Sequence, residues 1–217
     1  MTAAQRLQTI RENIARAAKL AGRDSADVTL VAVSKTRSSA EVEALIEAGQ
    51  RDFGESRVQE ALEKWPALLA NHPHLRLHCI GRLQSNKAAE AVRLFDTIHS
   101  LDRKSLLDAL VKEGEKADRF PSAYVQVNIG EEPQKGGCAI EQVGELLDAV
   151  RSSPFPLAGL MAVPPMGLEP SPFFALLAKL ARSHGVTGLS TGMSADYEAA
   201  VKLGATAVRV GTALFED

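Results

Sequence analysis

The sequence predicts an α/β fold, a single (β/α)8 barrel of the TIM type preceded by one extra helix. Eight apolar segments of strand length alternate with amphipathic segments of helix length, without a hairpin signal or a repeat of fixed period. The 217 residues suffice for one well-buried barrel, and no linker divides them, so residues 1–217 are expected to form one domain. With 45% hydrophobic but only 5% aromatic residues, the core must be aliphatic, which favours helices packed on a sheet.

The first half of the chain supplies the extra helix and four strand–helix units. Residues 2–21 carry apolar side chains at helical spacing, and Gly22 ends that helix. The continuous apolar run 29–33 is typical of a strand buried on both faces. Capping boxes predict that helices begin at Ser38 and at Ser56. The remaining predicted strands and helices of this half are 51–54, 75–80, 88–94 and 97–99.

The second half continues the alternation. Its predicted elements, in order, are a helix 104–117, a strand 123–129, a helix around 143–150, a strand 157–163 and a helix 173–183. A short strand at 188–189 then leads to a helix that opens at Ser194, with Ala195 on its buried face, and closes at Gly204. Residues 207–210 form the eighth strand. Because strands two, four and seven are short, an open doubly wound sheet is the alternative architecture.

Charge and composition exclude several classes of protein. The formal net charge is -2 without charge runs, which argues against a nucleic-acid or anionic-membrane surface. Cys79 and Cys138 cannot build a disulfide framework and suit a reducing compartment. No signal-peptide pattern and no apolar span of membrane length is found, so a soluble cytoplasmic protein is expected.

Two small hydroxyl-bearing turns are candidates for an anion site. Ser190, Gly192 and Ser194 surround the turn after the seventh strand, and Gly211 and Thr212 follow the eighth. Free backbone N–H groups at such turns favour phosphate, and in strand–helix barrels phosphate is usually held after strands seven and eight. The alternative is that Ser190 and Ser194 only cap a helix.

Lys35 is the candidate nucleophile. It follows an apolar strand at the C-terminal end, the end that carries active sites in this fold. A lysine partly desolvated by aliphatic walls is reactive toward a carbonyl. Together with a phosphate turn, this amine suits a phosphorylated aldehyde or ketone. The alternative is a strand-end lysine that simply reaches water.

Arg209 is a charge inside the last apolar strand, just before the turn at Gly211. An unpaired buried charge costs several kcal/mol, so Arg209 must be paired. One possibility is a salt bridge to a nearby carboxylate. The other is that Arg209 donates to an acceptor on a bound ligand.

The motifs of the chain, taken in order, resemble those of the pyridoxal phosphate homeostasis proteins. The resemblance runs from Val31 to Phe215 and rests on the ordered set Ala-Val-Ser-Lys-Thr, Phe-Gly-Glu, His-x-Ile-Gly, Leu-Gln-x-Asn-Lys, Gly-Leu-Met, Gly-Met-Ser and Arg-x-Gly-Thr. It implies the alanine-racemase barrel without that enzyme's C-terminal domain. It also implies binding of pyridoxal 5′-phosphate (PLP) and a role in buffering or delivering this cofactor, without established catalysis.

The resemblance also assigns roles to residues, matched position by position. Lys35 would form the aldimine, and Arg209 would donate to the pyridine nitrogen. Because a guanidinium does not readily give up its proton, it leaves that nitrogen unprotonated and weakens the ring as an electron sink. The other cofactor-binding positions expected are Ser194, Gly211 and Thr212 for the phosphate with Ser190, Gly192 and Met193 nearby, and Met161, His78, Gly81 and Ser56 around the ring; no metal site is expected.

Two positions qualify the resemblance. Ser56 stands where the family usually has asparagine, so a ring contact by that amide is in doubt here, whereas a helix cap is still possible. Lys135 matches a lysine often found in the family and is a candidate second amine for cofactor exchange. The alternative is a solvated loop lysine.

Two alternative functions and the expected assembly remain to be considered. An amino-acid racemase needs a second base opposite Lys35, and the chain offers only Tyr124 and Tyr197, neither of them expected at the mouth. A Schiff-base aldolase would use Glu55 as the acid beside Lys35. Without the second domain of the racemases a monomer is expected, with PLP and apo forms of PLP-dependent enzymes as partners.

Overall fold

The strands of the computed structural model, which describes residues 1–216, form a closed parallel barrel. They are β1 Thr29–Val33, β2 Asp52–Glu55, β3 Arg76–Cys79, β4 Thr97–Leu101, β5 Ser122–Gln126, β6 Leu157–Met161, β7 Leu189–Ser190 and β8 Ala207–Val210. Each strand pairs with the next in sequence, and β8 closes on β1 with Val31 opposite Arg209. The barrel prediction is therefore confirmed, and the open doubly wound alternative is wrong.

Helices surround this barrel. Their bounds are α1 Ala3–Leu20, α2 Ser39–Glu47, α3 Val58–Asn71, α4 Ala88–Leu94, α5 Lys104–Ala117, α6 Val143–Arg151, α7 Ser171–Ser183, α8 Tyr197–Lys202 and α9 Thr212–Phe215. The extra helix α1 begins with a capping box between Thr2 and Gln5 and packs against α8 and α9. Its apolar face is buried at the predicted spacing, through Leu7, Ile10, Ile14, Ala17 and Ala18.

Successive residues of each strand alternate between the helix layer and the barrel interior, and β2 shows both sides. Phe53 contacts Trp65 of α3, with ring centroids 5.2 Å apart. Gly54 faces the interior, where an added Cβ would lie 3.0 Å from Val31 Cγ1 and 3.2 Å from Ile80 Cδ1. The polar residues of β2, β3 and β4 that share the inward face with Gly54 therefore meet inside the barrel.

β6 and β7 approach each other more closely than side chains allow. Gly159 has φ +150, and a Cβ there would lie 2.0 Å from the carbonyl oxygen of Gly188. Only glycine tolerates both the backbone conformation and this contact. The absence of a side chain at Gly159 thus allows the short strand β7 to lie close to β6.

Two helix starts differ from the predictions. Helix α3 begins at Val58, after an N-cap residue, Arg57, that makes no side-chain cap, so the capping box at Ser56 is wrong. Helix α8 begins at Tyr197 rather than Ser194, and Ala195 is exposed rather than buried. The reason at Ser194 is that its hydroxyl accepts hydrogen bonds from the turn after β8 instead of from the helix that follows it.

Among residues 1–216, no helix is both long and apolar enough to cross a bilayer. Cys79 and Cys138 are free and buried. Burial raises the pKa of Cys79 to about 12 and that of Cys138 to about 11, so both are neutral thiols at pH 7.

Candidate functional site

Lys35 lies just past β1, at the C-terminal end of the barrel. Its side chain is exposed, so the partial desolvation expected from the sequence is wrong. The backbone around it is unusual, because Thr36 has φ 62, in the left-handed region that a β-branched residue rarely adopts. The amine is therefore free to meet a ligand at the mouth, on a turn whose backbone is constrained.

That turn is held from the helix layer by Lys64 of α3. Lys64 Nζ lies 2.7 Å from the carbonyl oxygen of Ser34 and 3.2 Å from that of Arg37. It also lies 2.7 Å from Glu55 Oε1, and both side chains of this pair are largely buried. The backbone carbonyls on both sides of Lys35 are thus fixed by one ammonium group.

Glu55 belongs to this clamp and not to the barrel mouth. Its Oε1 also accepts hydrogen bonds from Ser34 Oγ at 2.8 Å and from Trp65 Nε1 at 3.0 Å. Because β2 alternates, Glu55 faces α3 while Gly54 faces the interior. Glu55 is therefore not the acid beside Lys35 that an aldolase would need.

The two hydroxyl-bearing turns come together at the same end of the barrel. Ser194 Oγ accepts hydrogen bonds from the backbone N–H groups of Gly211 at 3.1 Å and Ala213 at 3.4 Å. A Cβ on Gly211 would lie 3.4 Å from Val33, on the strand that leads to Lys35. Since β1 and β8 are neighbours, the amine and this pair of turns both lie beyond the C-terminal ends of adjacent strands.

The turn after β7 is fixed by its own contacts. Gly192 has φ +93, and a Cβ there would lie 2.5 Å from Ala200 Cβ, so no larger residue fits. Its carbonyl oxygen accepts from Arg209 N at 2.9 Å. Met193 is 40% exposed, and its N–H donates to Asp196 Oδ1 at 2.6 Å. Thr212, on the other turn, is exposed.

Arg209 is only 4% exposed, and the acceptors of its guanidinium are all neutral. Nη1 donates to the carbonyl oxygen of Ser190 at 2.9 Å and to Ser190 Oγ at 2.5 Å, and Nη2 donates to Ala162 O at 3.1 Å. The described residues offer Arg209 no salt bridge, so that alternative is wrong. Its Nε–H makes no hydrogen bond to residues 1–216. Burial lowers the pKa of Arg209 to about 10, which leaves it charged at pH 7.

The residues expected around a ring lie at different depths. Met161 ends β6 and is 1% exposed. Gly81 packs so tightly on Ser56 that a Cβ would lie 2.0 Å from the Ser56 carbonyl oxygen, which joins the turns after β2 and β3. His78 lies inside the barrel, where Nε2 is 3.0 Å from Asp52 Oδ1.

Comparison with known proteins identifies the family. The model of the alanine racemase N-terminal domain matches residues 5–217. A pyridoxal phosphate homeostasis protein of Pseudomonas aeruginosa is 43% identical, over 96% of each chain. That of Escherichia coli is 37% identical, over 98% of this chain and 95% of the relative. The chain belongs to the pyridoxal phosphate homeostasis proteins.

Solved structures agree with this family. PipY of Synechococcus elongatus with PLP bound has a TM-score of 0.85 and 37% identity, over 98% of this chain and 99% of PipY. PipY without PLP has a TM-score of 0.86 at the same identity and coverage. An alanine racemase of Clostridium difficile, 14% identical, has a TM-score of 0.69 over 97% of this chain and 56% of the racemase, which shows a shared fold.

In this homeostasis-family chain both tyrosines lie away from the mouth. Tyr197 is buried on α8, and its hydroxyl accepts from Asn13 Nδ2 at 2.8 Å. Tyr124 stacks on His99 inside the barrel, with ring centroids 4.6 Å apart, and burial raises its pKa. Lys135 is half-buried rather than freely solvated, with Nζ 2.6 Å from Glu132 Oε2 and 3.0 Å from Pro164 O.

The sequence analysis missed three polar residues around the site. Asp52 and His99 join His78 inside the barrel, and Lys64 clamps the turn of Lys35. For Asp52 and His99 the signal was available, since each is a polar residue at an inward position of a barrel strand. For Lys64 there was none, because a lysine on an amphipathic helix is ordinarily solvated.

Proposed function

We propose that this chain is a single PLP-binding barrel domain, residues 1–217, that holds PLP as an aldimine of Lys35 and buffers or delivers it inside the cell. The observation that carries the proposal is PipY, 37% identical and solved with PLP bound, whose fold matches at a TM-score of 0.85. The residues of this chain fit the group. An amine, a turn of backbone donors and a buried guanidinium with a free N–H match an aldehyde, a phosphate and a pyridine nitrogen.

At the phosphate end we assign Ser194, Gly211 and Thr212. The backbone N–H groups of Gly211 and Ala213 already converge on one oxygen, Ser194 Oγ, and can serve a phosphate oxygen in the same way. Gly192 and Met193 form the neighbouring turn. Its tight packing gives this end of the site a fixed backbone.

At the ring end we assign Arg209, whose Nε–H has no partner among the described residues, as the donor to the pyridine nitrogen. Because a guanidinium keeps its proton, that nitrogen would stay unprotonated, and the PLP ring would be a weak electron sink. Met161, Gly81 and Ser56 border the ring from β6, β3 and β2. Ser190 and His78 belong to this end because Ser190 accepts from Arg209 and His78 is linked to Ser190 through His99.

The same arrangement favours storage over turnover. Racemisation needs a base on each face of the substrate carbon, and neither tyrosine of the described chain lies at the mouth. We therefore infer a carrier that works as a monomer in the cytoplasm and gives PLP to apo forms of PLP-dependent enzymes. Its relatives are named for homeostasis, not for a reaction.

The decisive experiment is an absorption spectrum of the protein with PLP, before and after borohydride. Wild type is expected to be yellow, to lose the visible band on reduction and to carry the added mass on the peptide of Lys35. Lys35→Ala should show no covalent adduct, whereas the control Lys87→Ala, a surface lysine paired with Glu90, should behave as wild type. A protein with intact Lys35 that stays colourless with PLP would refute the proposal.

The phosphate assignment and the carrier role have separate tests. Ser194→Ala removes one hydrogen bond to a charged group, worth about 1.5–3 kcal/mol, and should weaken PLP binding roughly tenfold or more. Loaded protein, freed of unbound PLP on a desalting column, should activate an apo PLP-dependent enzyme faster than free PLP at an equal concentration. Rapid loss of optical purity from single-enantiomer amino acids would contradict the absence of turnover.

A further inference from the structure

A continuous line of buried polar side chains crosses the interior of the barrel. Asp52 Oδ1 lies 3.0 Å from His78 Nε2, and His78 Nδ1 lies 2.9 Å from His99 Nε2. His99 Nδ1 lies 2.7 Å from Ser190 Oγ, which also accepts from Arg209 Nη1 at 2.5 Å. Four strands besides β8 thus contribute one residue each, and every link has hydrogen-bond length.

We propose that this line, the barrel chain Asp52–His78–His99–Ser190, is a hydrogen-bond chain with one direction. It positions Arg209 and couples it electrostatically to the negative charge of Asp52. Its residues would thereby tune the ring nitrogen of PLP without touching the cofactor. This part rests on the proposed function of Arg209. The direction of the chain does not depend on that function, and it follows from the donors and acceptors themselves.

The direction can be worked out from both ends. Arg209 can only donate to Ser190 Oγ, and the carboxylate of Asp52 can only accept, so His78 carries its proton on Nε2. A neutral His78 then accepts at Nδ1 from His99 Nε2–H. His99 in turn accepts at Nδ1 from the hydroxyl of Ser190. Every link of the chain then has one donor and one acceptor.

The opposite direction leaves a buried group unsatisfied. It requires a protonated His78 that donates to His99, which then donates from Nδ1 to Ser190 Oγ. The hydroxyl proton of Ser190, 0% exposed, would then have no acceptor among the described residues. It also adds a buried positive charge to the interior that already holds Arg209, and both costs oppose it.

The surrounding charges support a neutral pair of rings. Burial, and then electrostatic interactions with His78 and Arg209, lower the pKa of His99 well below its usual value. Hydrogen bonds from His78 and Arg76 lower the pKa of Asp52 in spite of its burial, so it is ionised. Arg76, at the N-terminal end of β3, donates to each carboxylate oxygen of Asp52 at 2.7 Å, and its side chain is 61% exposed.

Two more titratable groups face the chain. Tyr124 stacks on His99, and burial keeps its hydroxyl protonated at neutral pH by raising its pKa. Asp196 acts on Arg209 electrostatically from the turn before α8. Neither forms a link of the chain, so the proton positions depend on Asp52 at one end and Arg209 at the other.

The first test reads the proton positions directly and needs no PLP. Long-range ¹H–¹⁵N spectra of the histidine rings should show His78 and His99 neutral and protonated on Nε2 at pH 7. Asp52→Asn should disturb this pattern, because an amide can also donate to His78 and so allows both directions. Ser190→Ala should disturb it at His99, whereas the control Ser100→Ala, a buried serine of β4 outside the chain, should not. An Nδ1–H or a charged ring in wild type would overturn the proposed direction.

The second test reads the ring of bound PLP through the visible band. Removing the negative charge of Asp52 should move the pH midpoint of this band down by about 0.8 unit, from one charge acting over roughly 15 Å at an effective dielectric of about 20. The matched control is Asp96→Asn, which removes an ion-paired carboxylate next to β4 that is outside the chain. An equal midpoint in both variants would overturn the coupling to Arg209. Failure of all proteins to take up PLP would refute the proposed function, while the ring spectra would still decide the chain.

Discussion

The clamp formed by Lys64 makes a sharp prediction about stability. Lys64→Met keeps the length of the side chain but leaves Glu55, which is 0% exposed, without its cation. Glu55 Oε2 already has no hydrogen-bond partner among the described residues, so Oε1 carries every compensating contact. Breaking a buried ion pair from one side typically costs about 3–5 kcal/mol. We expect a loss of this size in the free energy of unfolding.

The assay is urea unfolding at pH 7, with unchanged m-values as the sign that only stability has moved. Lys87→Met is the matched control, because the pair of Lys87 with Glu90 is partly exposed and should be worth about 1 kcal/mol or less. Adding Glu55→Gln to Lys64→Met should restore part of the loss, since a neutral amide needs no counter-ion. If Lys64→Met and Lys87→Met cost the same, Glu55 is not a buried charge that depends on Lys64.

Three further predictions concern packing, thiols and pH. Gly159→Ala should destabilise the fold by several kcal/mol in thermal unfolding, because its Cβ would lie 2.0 Å from a carbonyl oxygen, while Gly167→Ala, with nothing within 4 Å of the added Cβ, should cost only about 1 kcal/mol. Cys79 and Cys138 should resist a thiol reagent in the native protein and react fully in urea; rapid native labelling would contradict their burial. Because the pKa of His99 is lowered on folding, its contribution is complete above its unfolded pKa of 6.5 and is lost as the pH falls, by up to about 1.4 kcal/mol per pH unit. His99→Gln should reduce that slope, and an unchanged slope would contradict the assignment.

Much of the fold could be predicted because barrel strands and helices differ in period. Continuous apolar runs such as Thr29–Val33 and helix-spaced positions such as those of α1 mark their elements without any long-range information. The two errors at helix starts have one cause. A serine before a helical pattern is usually its cap. Here the Ser194 hydroxyl accepts from the backbone of another turn, and the backbone of Ser56 packs against Gly81. Both are contacts between distant parts of the chain, which local patterns do not contain.

The candidate site also has residues that the sequence could predict and residues that it could not. Lys35 and Arg209 could be predicted because each is a charged residue at the end of or inside an apolar strand. A charge at such a position costs free energy unless a partner or a ligand compensates it. Their proximity to the turn at Ser194 follows from closure of the barrel, which places β8 beside β1. The environment of Lys35 and the clamp by Lys64 could not be predicted, because they depend on side-chain directions at a turn and on a helix packed outside it.

The barrel chain raises the question why a small aliphatic barrel keeps polar groups at its centre. Buried polar networks can often be replaced by apolar side chains of similar volume without loss of stability, so stability alone does not account for Asp52, His78 and His99. A lone Arg209 in an apolar interior, by contrast, would be too costly to keep. The barrel chain offsets part of that cost, because it gives Arg209 oriented acceptors and a carboxylate at a distance, and it leaves the Nε–H without a partner among the described residues. A carboxylate bound to Nε would neutralise the same charge but would occupy the donor that we assign to the ligand. The proposed role of Arg209 therefore accounts for a hydrogen-bond chain in place of a salt bridge.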